Sequence, residues 1–277
     1  MSAGATAGAG ARLGAGGLVA RLGDRVAALL DGVGAVTTLA VRALAYAVRP
    51  PWRGRALVYQ IHAQGNRALG LAVAAAVFVG MALAVQFGFG LSRFGATSLL
   101  SQLTTLGLVR ELLPVFSGLV IGARIGAGIA AELGSMAVTE QLDAMLVLGA
   151  DPVRELVAPR VIAAIIVLPF ITVLGDVIST LGAMAVGRLQ YGIGARYYVD
   201  SLRGFLLVGD FLTGVVKSAV FGLLVALFAC RQGMLARNGT QGVGVAATRA
   251  VVHGTLAVIV ANYFLSVLAL QLLSGGP

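Results

Sequence analysis

Charge is scarce in this 277-residue chain: Asp, Glu, Lys and Arg together make up 11% of it, against about 25% in an ordinary soluble domain. That scarcity argues against a water-soluble globular enzyme. Cysteine is nearly missing. Cys230 stands alone, so neither an internal disulfide framework nor a cysteine-based metal cage can form. Two histidines, His62 and His253, are too few to read as a histidine-ligated metal site, and His253, on a largely apolar helix, reads as a hydrogen-bonded packing residue. Neither GVGV at Gly242–Val245 nor GIGA at Gly192–Ala195 carries the Lys-Ser/Thr of a phosphate loop, so both read as turns. No nucleophile–base pair is evident. What the chain has instead is apolar residues, 58% of the total, with a mean hydropathy of +0.95. This is the composition of an integral membrane protein.

A helix needs about 20 apolar residues to cross the hydrocarbon. The stretch 68–91 carries no charge, and neither does 255–273. Three further stretches are interrupted: 103–131 by Arg110, Glu111 and Arg124, 161–186 by Asp176, and 205–230 by Asp210 and Lys217. Reading all five as spans orients the chain. With an inside start, thirteen arginines fall on the cytosolic side and four (Arg93, Arg188, Arg196 and Arg203) outside, as the positive-inside rule requires. The N-terminus is then cytosolic and the C-terminus outside. On such a protein the net charge of +9 belongs to cytosolic loops rather than to nucleic-acid binding.

Residues 1–17 are a Gly/Ala-rich leader read as disordered. Over the following segment, 18–67, the polar residues Arg21, Asp24, Arg25, Asp31, Thr38 and Arg42 recur at spacings near 3, 4 and 7 up to Val48, which places them along one face of a helix lying in the membrane interface. A plain cytosolic helix is the alternative. Pro50 and Pro51 break the helix, and Trp52 and Tyr59 suit the headgroup layer.

Gly118, Gly122 and Gly126 repeat every fourth residue, a spacing that lets a neighbouring backbone approach closely, either within the chain or across a homodimer seam. Between the second and third spans, the spacing predicts a short loop helix with Thr139 as N-cap and Glu140 and Asp143 in the first turn. Gly149 supplies its C-cap and Pro152 its stop, while Leu142, Met145, Leu146 and Leu148 form an apolar side. It reads equally as a docking element or as a helix resting on lipid.

The run RELLPVFSGLVIGARIGAGIAAELGSMAVTEQLDAMLVLGADPVRELVAPRVIA, with VVKSAVFG and ATRAVVHGTLAVIVANYFLSV further on, resembles the signature of the MlaE/YrbE permeases, the membrane subunits of bacterial ABC lipid transporters. The likeness runs from about Gln60 to the C-terminus. It implies an all-α integral membrane protein of the bacterial inner membrane, with five transmembrane helices behind an interfacial amphipathic N-terminal helix. It also implies a permease domain over 68–277, paired with a second permease copy. The partners implied are a cytosolic ABC ATPase carrying ATP and Mg, an outer-side MCE-domain protein, and in some systems a STAS-domain subunit. No cofactor belongs to this chain and no enzymatic site is implied in it. The loop from Thr139 to Pro152 corresponds to the family's cytosolic coupling helix, and Glu140, Gln141, Asp143 and Asp151 become the expected ATPase contacts. The family's intramembrane charges map onto Arg110, Glu111 and Lys217. Two departures stand out: Leu113 replaces the glycine usual before Pro114, and Asn262 stands where some relatives carry an acid. Without that acid the three charges sum to +1, an excess expected to be met by an anionic headgroup or by Asp176. Two rival readings remain: a proton-coupled secondary transporter with Asp176, Glu111 and Lys217 as relay, against which the lack of an inverted repeat speaks, and a membrane scaffold for a cytosolic partner. A solid bundle would favour the scaffold, and an apolar cavity would count against it.

Overall fold

The computed structural model describes residues 31–46 and 54–273. The leader at 1–17, the first part of the amphipathic segment, and Pro50, Pro51 and Trp52 lie outside the described residues. Among the described residues every regular element is a helix. Residues 31–46 form α1, and five long apolar helices follow: α2 (Gly54–Ser92), α3 (Thr97–Val138), α5 (Val153–Tyr191), α7 (Val208–Met234) and α8 (Gly239–Leu273). Two short helices sit in connections, α4 (Gln141–Val147) and α6 (Ala195–Phe205).

The helices outrun the spans drawn from charge. At 1.5 Å per residue the 39 residues of α2 extend about 58 Å, whereas the hydrocarbon is about 30 Å thick. Residues 54–67 continue the helix of the first span without a break, and α8 begins well before Thr255. Charge marks where hydrocarbon ends; it does not mark where backbone hydrogen bonding ends. At the fourth span the difference is the other way: Phe205 closes α6, and α7 starts at Val208.

Backbone approach sets the helix pairs, because lipid supplies no hydrophobic drive for helices to associate. α2 runs beside α5 in the same direction, with Gly80 against the Ser179 carbonyl and Gly182 against that of Val77. α5 runs antiparallel to α7, with Gly222 against the Ala164 carbonyl. α3 and α8 complete the bundle on the other side of α7. The glycine row on α3 is spent inside the chain. A Cβ at Gly118 would lie 2.9 Å from both Phe221 and Val258, and one at Gly122 or Gly126 would lie 3.1 Å from Val225.

α1 packs on this bundle through Val36, Leu39 and Ala43, which share a core with residues of α2, α5 and α7. Its polar face reaches the start of α5. Asp151 accepts hydrogen bonds from Tyr46 (2.7 Å), Arg42 (3.0 Å) and the Val153 N–H (3.0 Å). At the opposite end α6, which the charge pattern does not reveal, is pinned by the fully buried Tyr198 beside Thr105 and by Ser201 bonding Ser101.

These contacts generate a paired expectation. Gly80→Ala drives a methyl into the Ser179 backbone and should destabilise the purified protein by about 1–3 kcal/mol. Gly70→Ala, on the same helix with nothing within 4 Å of the new methyl, should be neutral or slightly stabilising. Thermal unfolding in detergent separates the two, and equal midpoints would contradict the packing described.

Candidate functional site

After a 3-10 first turn at Thr97–Leu99, α3 is α-helical except at two wider π-helical turns, Leu108–Leu112 and Ser117–Ile121, which flank Pro114. Proline has no N–H to offer the carbonyl four residues back, and here that carbonyl belongs to Arg110. Lys217 Nζ, from α7, reaches it at 3.3 Å. The same ammonium donates to Glu111 Oε1 at 2.7 Å and to Ser266 Oγ of α8 at 2.8 Å, and Ser266 donates to Glu111 Oε2 at 3.1 Å. Three helices thus meet in a closed polar triangle. The Lys217 side chain is 1% exposed and that of Glu111 43%.

A second pair lies beside it. Arg110 Nη1 is 3.5 Å from Asp210 Oδ1, while Asp210 Oδ2 accepts the Leu207 N–H and caps the start of α7. The pairing corrects the expected charge balance. Arg110, Glu111, Lys217 and Asp210 sum to zero, so no excess positive charge waits for a headgroup. Asp176 is no part of the cluster: it is buried on α5, and its Oδ1 has no hydrogen-bond partner among the described residues. Asn262 is likewise outside it, with Oδ1 buried and unbonded. The residue of α8 that joins the cluster is Ser266, one turn further along the same face. Its hydroxyl carried no charge to mark it; spacing from Asn262 was the one available signal. Leu113 is accommodated because its methyl fills the space left by Gly175 on α5, 3.0 Å from where a Cβ there would lie.

Adjoining the triangle is a cavity of ≈ 260 Å³ between α7 and α8, walled by Leu212, Val216, Leu265, Leu268 and Leu272, with Lys217 also in its wall. It lies at the end of the bundle that carries α6.

The opposite end carries the 139–152 connection. Thr139 does not cap α4; it ends α3, its hydroxyl donating back to the Ser135 carbonyl at 2.8 Å. The N-cap position belongs to Glu140, whose φ of 60° puts a non-glycine residue in the left-handed region. Asp143 does lie in the first turn, and Gly149 closes the helix at φ 75°. Pro152 opens the next helix, with Asp151 as its cap through the Val153 N–H. Partial burial pushes the Asp151 carboxyl up, but its hydrogen bonds from Tyr46 and Val153 and the charge of Arg42 outweigh this and hold it below the usual carboxylate range. Asp151 is therefore engaged within the chain, where an ATPase contact was expected. Gln141 donates to Thr139, Leu142 is buried and Met145 half-buried. Val147 and Leu148, 87% and 84% exposed, form an apolar tip. Beside α4 opens a cleft of ≈ 470 Å³ lined by Glu140, Asp143, Arg237 and Asn238. Asn238 is the other non-glycine residue at positive φ (67°) among those described. Backbone strain of this kind gathers at functional surfaces.

The family model described as Permease MlaE matches residues 57–268. A protein of Rickettsia felis named a probable ABC transporter permease is 36% identical over 245 residues, covering 88% of this chain and 95% of its own. A likewise named protein of Synechocystis is 37% identical over 212 residues, 76% of this chain and 81% of that one. The chloroplastic protein TRIGALACTOSYLDIACYLGLYCEROL 1 of Arabidopsis thaliana is 35% identical over 215 residues, 78% of this chain and 61% of its own. The chain belongs to the MlaE permease family and is an ABC-transporter permease.

Proposed function

We propose that this permease is the membrane half of an ATP-driven lipid transporter of the bacterial inner membrane. It holds a phospholipid or related lipid in the α7–α8 cavity and exchanges it with an MCE-domain protein on the outer side. A separate cytosolic ATPase, meeting the chain at α4, hydrolyses Mg-bound ATP; this chain contributes the cavity and the mechanical link. The observation that carries the reading is the apolar cavity beside a neutral, hydrogen-bonded ion cluster. Leucine and valine walls suit acyl chains, and Lys217 in the wall offers a polar contact. A cavity of this kind favours a transporter over a scaffold. The name of the Arabidopsis relative is that of a galactolipid, which points the same way.

The positive-inside balance supports a cytosolic N-terminus and an outside C-terminus. In that orientation α6 and the cavity face outward, and α4 with the strained Glu140–Asn238 cleft faces the ATPase. The apolar outer face of α8, including Leu256, Ile259, Val260 and Phe264, suits a second permease copy. A STAS-domain subunit would bind on the cytosolic side. The proton-relay alternative loses support from the pairing itself: Glu111 and Lys217 are bonded to each other, and Asp176 stands apart from both.

Two measurements test this. Lys217→Ala should lower the lipid that co-purifies, read by mass spectrometry, while the protein still assembles, because the remaining Glu111 has access to water. Glu111→Ala strands a buried ammonium, a change that costs about 3–5 kcal/mol in a buried pair and less here because the glutamate is half exposed, so its yield and thermal midpoint should fall further than those of Lys217→Ala. Unchanged lipid content in Lys217→Ala would refute the cavity assignment. Separately, Glu140→Lys with Asp143→Lys should sever co-purification of the ATPase subunit without lowering the thermal midpoint. Full retention of the ATPase would remove α4 as the docking element.

A further inference from the structure

At the end of the bundle that carries α4, α2 and α3 enclose a different cavity of ≈ 220 Å³, lined by Gln60, Gln64, Arg67, Arg124 and Glu132 among others. Its depth can be read from the sequence. Arg67 is the last charge before an uncharged run that reaches Ser92, so the cavity sits where hydrocarbon gives way to headgroups. Arg124 is held at the same level by donating Nε to the Arg67 carbonyl at 2.9 Å, which leaves its two Nη groups for other partners. It lies about 20 Å along α3 from Glu111, taking the helical rise of 1.5 Å per residue. The site is therefore separate from the α7–α8 cavity in both walls and depth.

The charges here do not balance. Glu132 is shared between Arg160 at 3.3 Å and Arg67 at a loose 3.8 Å, and Arg124 has no carboxylate partner among the described residues. Three arginines around one glutamate leave two positive charges over. Guanidinium groups left over at a headgroup boundary are suited to phosphate oxygens, which they bind in bidentate fashion. Gln64, also in the wall, is more than nine-tenths buried and donates Nε2 to the Arg160 carbonyl at 3.2 Å, which ties this wall to α5.

We propose that this cavity is a phosphate-binding site for the headgroup of a membrane phospholipid, with Arg67 and Arg124 holding phosphate oxygens. Free phosphate shares this chemistry, and the test distinguishes the two sources. The site stands whether or not the α7–α8 cavity holds lipid.

The full chain is placed in phosphatidylcholine vesicles containing a small fraction of phosphatidylethanolamine with a photoactivatable headgroup, irradiated, and its labelled peptides mapped by mass spectrometry. Label should fall on 60–67 and 124–132. The Arg67→Gln, Arg124→Gln double variant should lose it at least about tenfold, the equivalent of one charge-assisted hydrogen bond, whereas Lys217→Ala should retain it in full. Arg67→Gln alone is the fallback should the double variant misfold, since that side chain is two-thirds exposed and its replacement should lower the label in a folded protein. Label that resists millimolar inorganic phosphate identifies the lipid as the source; label displaced by it identifies the free anion. Undiminished label in a folded arginine variant overturns the proposal, and so does equal labelling of the same peptides by a phosphate-free glycolipid probe.

Discussion

A charge carried into hydrocarbon must bring its partners with it. Insertion of one charged side chain at the centre of a span costs at least about 2.5–3.5 kcal/mol, and this chain inserts four within reach of one another. The arrangement begins with a proline. Pro114 takes a donor away from the Arg110 carbonyl, and Lys217 from another helix supplies one. Burying that ammonium requires Glu111, and Glu111 in turn fixes Ser266 on α8. Arg110 requires Asp210, which also satisfies the backbone at the start of α7. Helices α3, α7 and α8 are thereby held in one register by polar chemistry, while glycine contacts such as Gly118 on Phe221 and Val258 hold them by shape.

How much of this can be read without coordinates follows from the range of each signal. The five crossings are written locally, as stretches without charge, and so is the short helix between the second and third, closed by Gly149. Helix ends are not, because a helix runs past the hydrocarbon wherever its backbone bonds continue. The partner of Arg110 is a matter of tertiary pairing: Asp176 and Asp210 interrupt their spans with equal prominence, and the parallel docking of α7 on α3 is what selects Asp210. Thr139 has the chemistry of an N-cap, but its hydroxyl bonds backward to Ser135 within the preceding helix, which passes the turn to Glu140 in a strained conformation. Ser266 had no charge to draw notice. What escaped notice in each case is a contact between elements distant in sequence.

The N-terminal helix shows the same rule at the surface. Its arginine face suits lipid phosphates by composition, yet Arg42 and Tyr46 close on Asp151, where α4 gives way to α5. Asp151 caps α5 with one oxygen and holds α1 with the other. The connection that carries α4 is thus anchored on its far side to a helix packed on the core, while its own tip, Val147 and Leu148, stays free.

The two ion pairs also share a construction that bears on movement. In each, α7 supplies the buried member, Lys217 at 1% exposure and Asp210 at 7%, and α3 supplies the member with access to water, Glu111 at 43% and Arg110 at 20%. Separating α3 from α7 therefore leaves the two hydrated ions tolerable and the two buried ones without a counter-charge. Because the buried pair is one cation and one anion on the same helix, two turns apart, their cost is not relieved by a net charge entering the gap. It is relieved by a dipolar or zwitterionic group spanning both, or by the return of α3. The neutral cluster thus holds α3 against α7 by charge as well as by the glycine contacts between them.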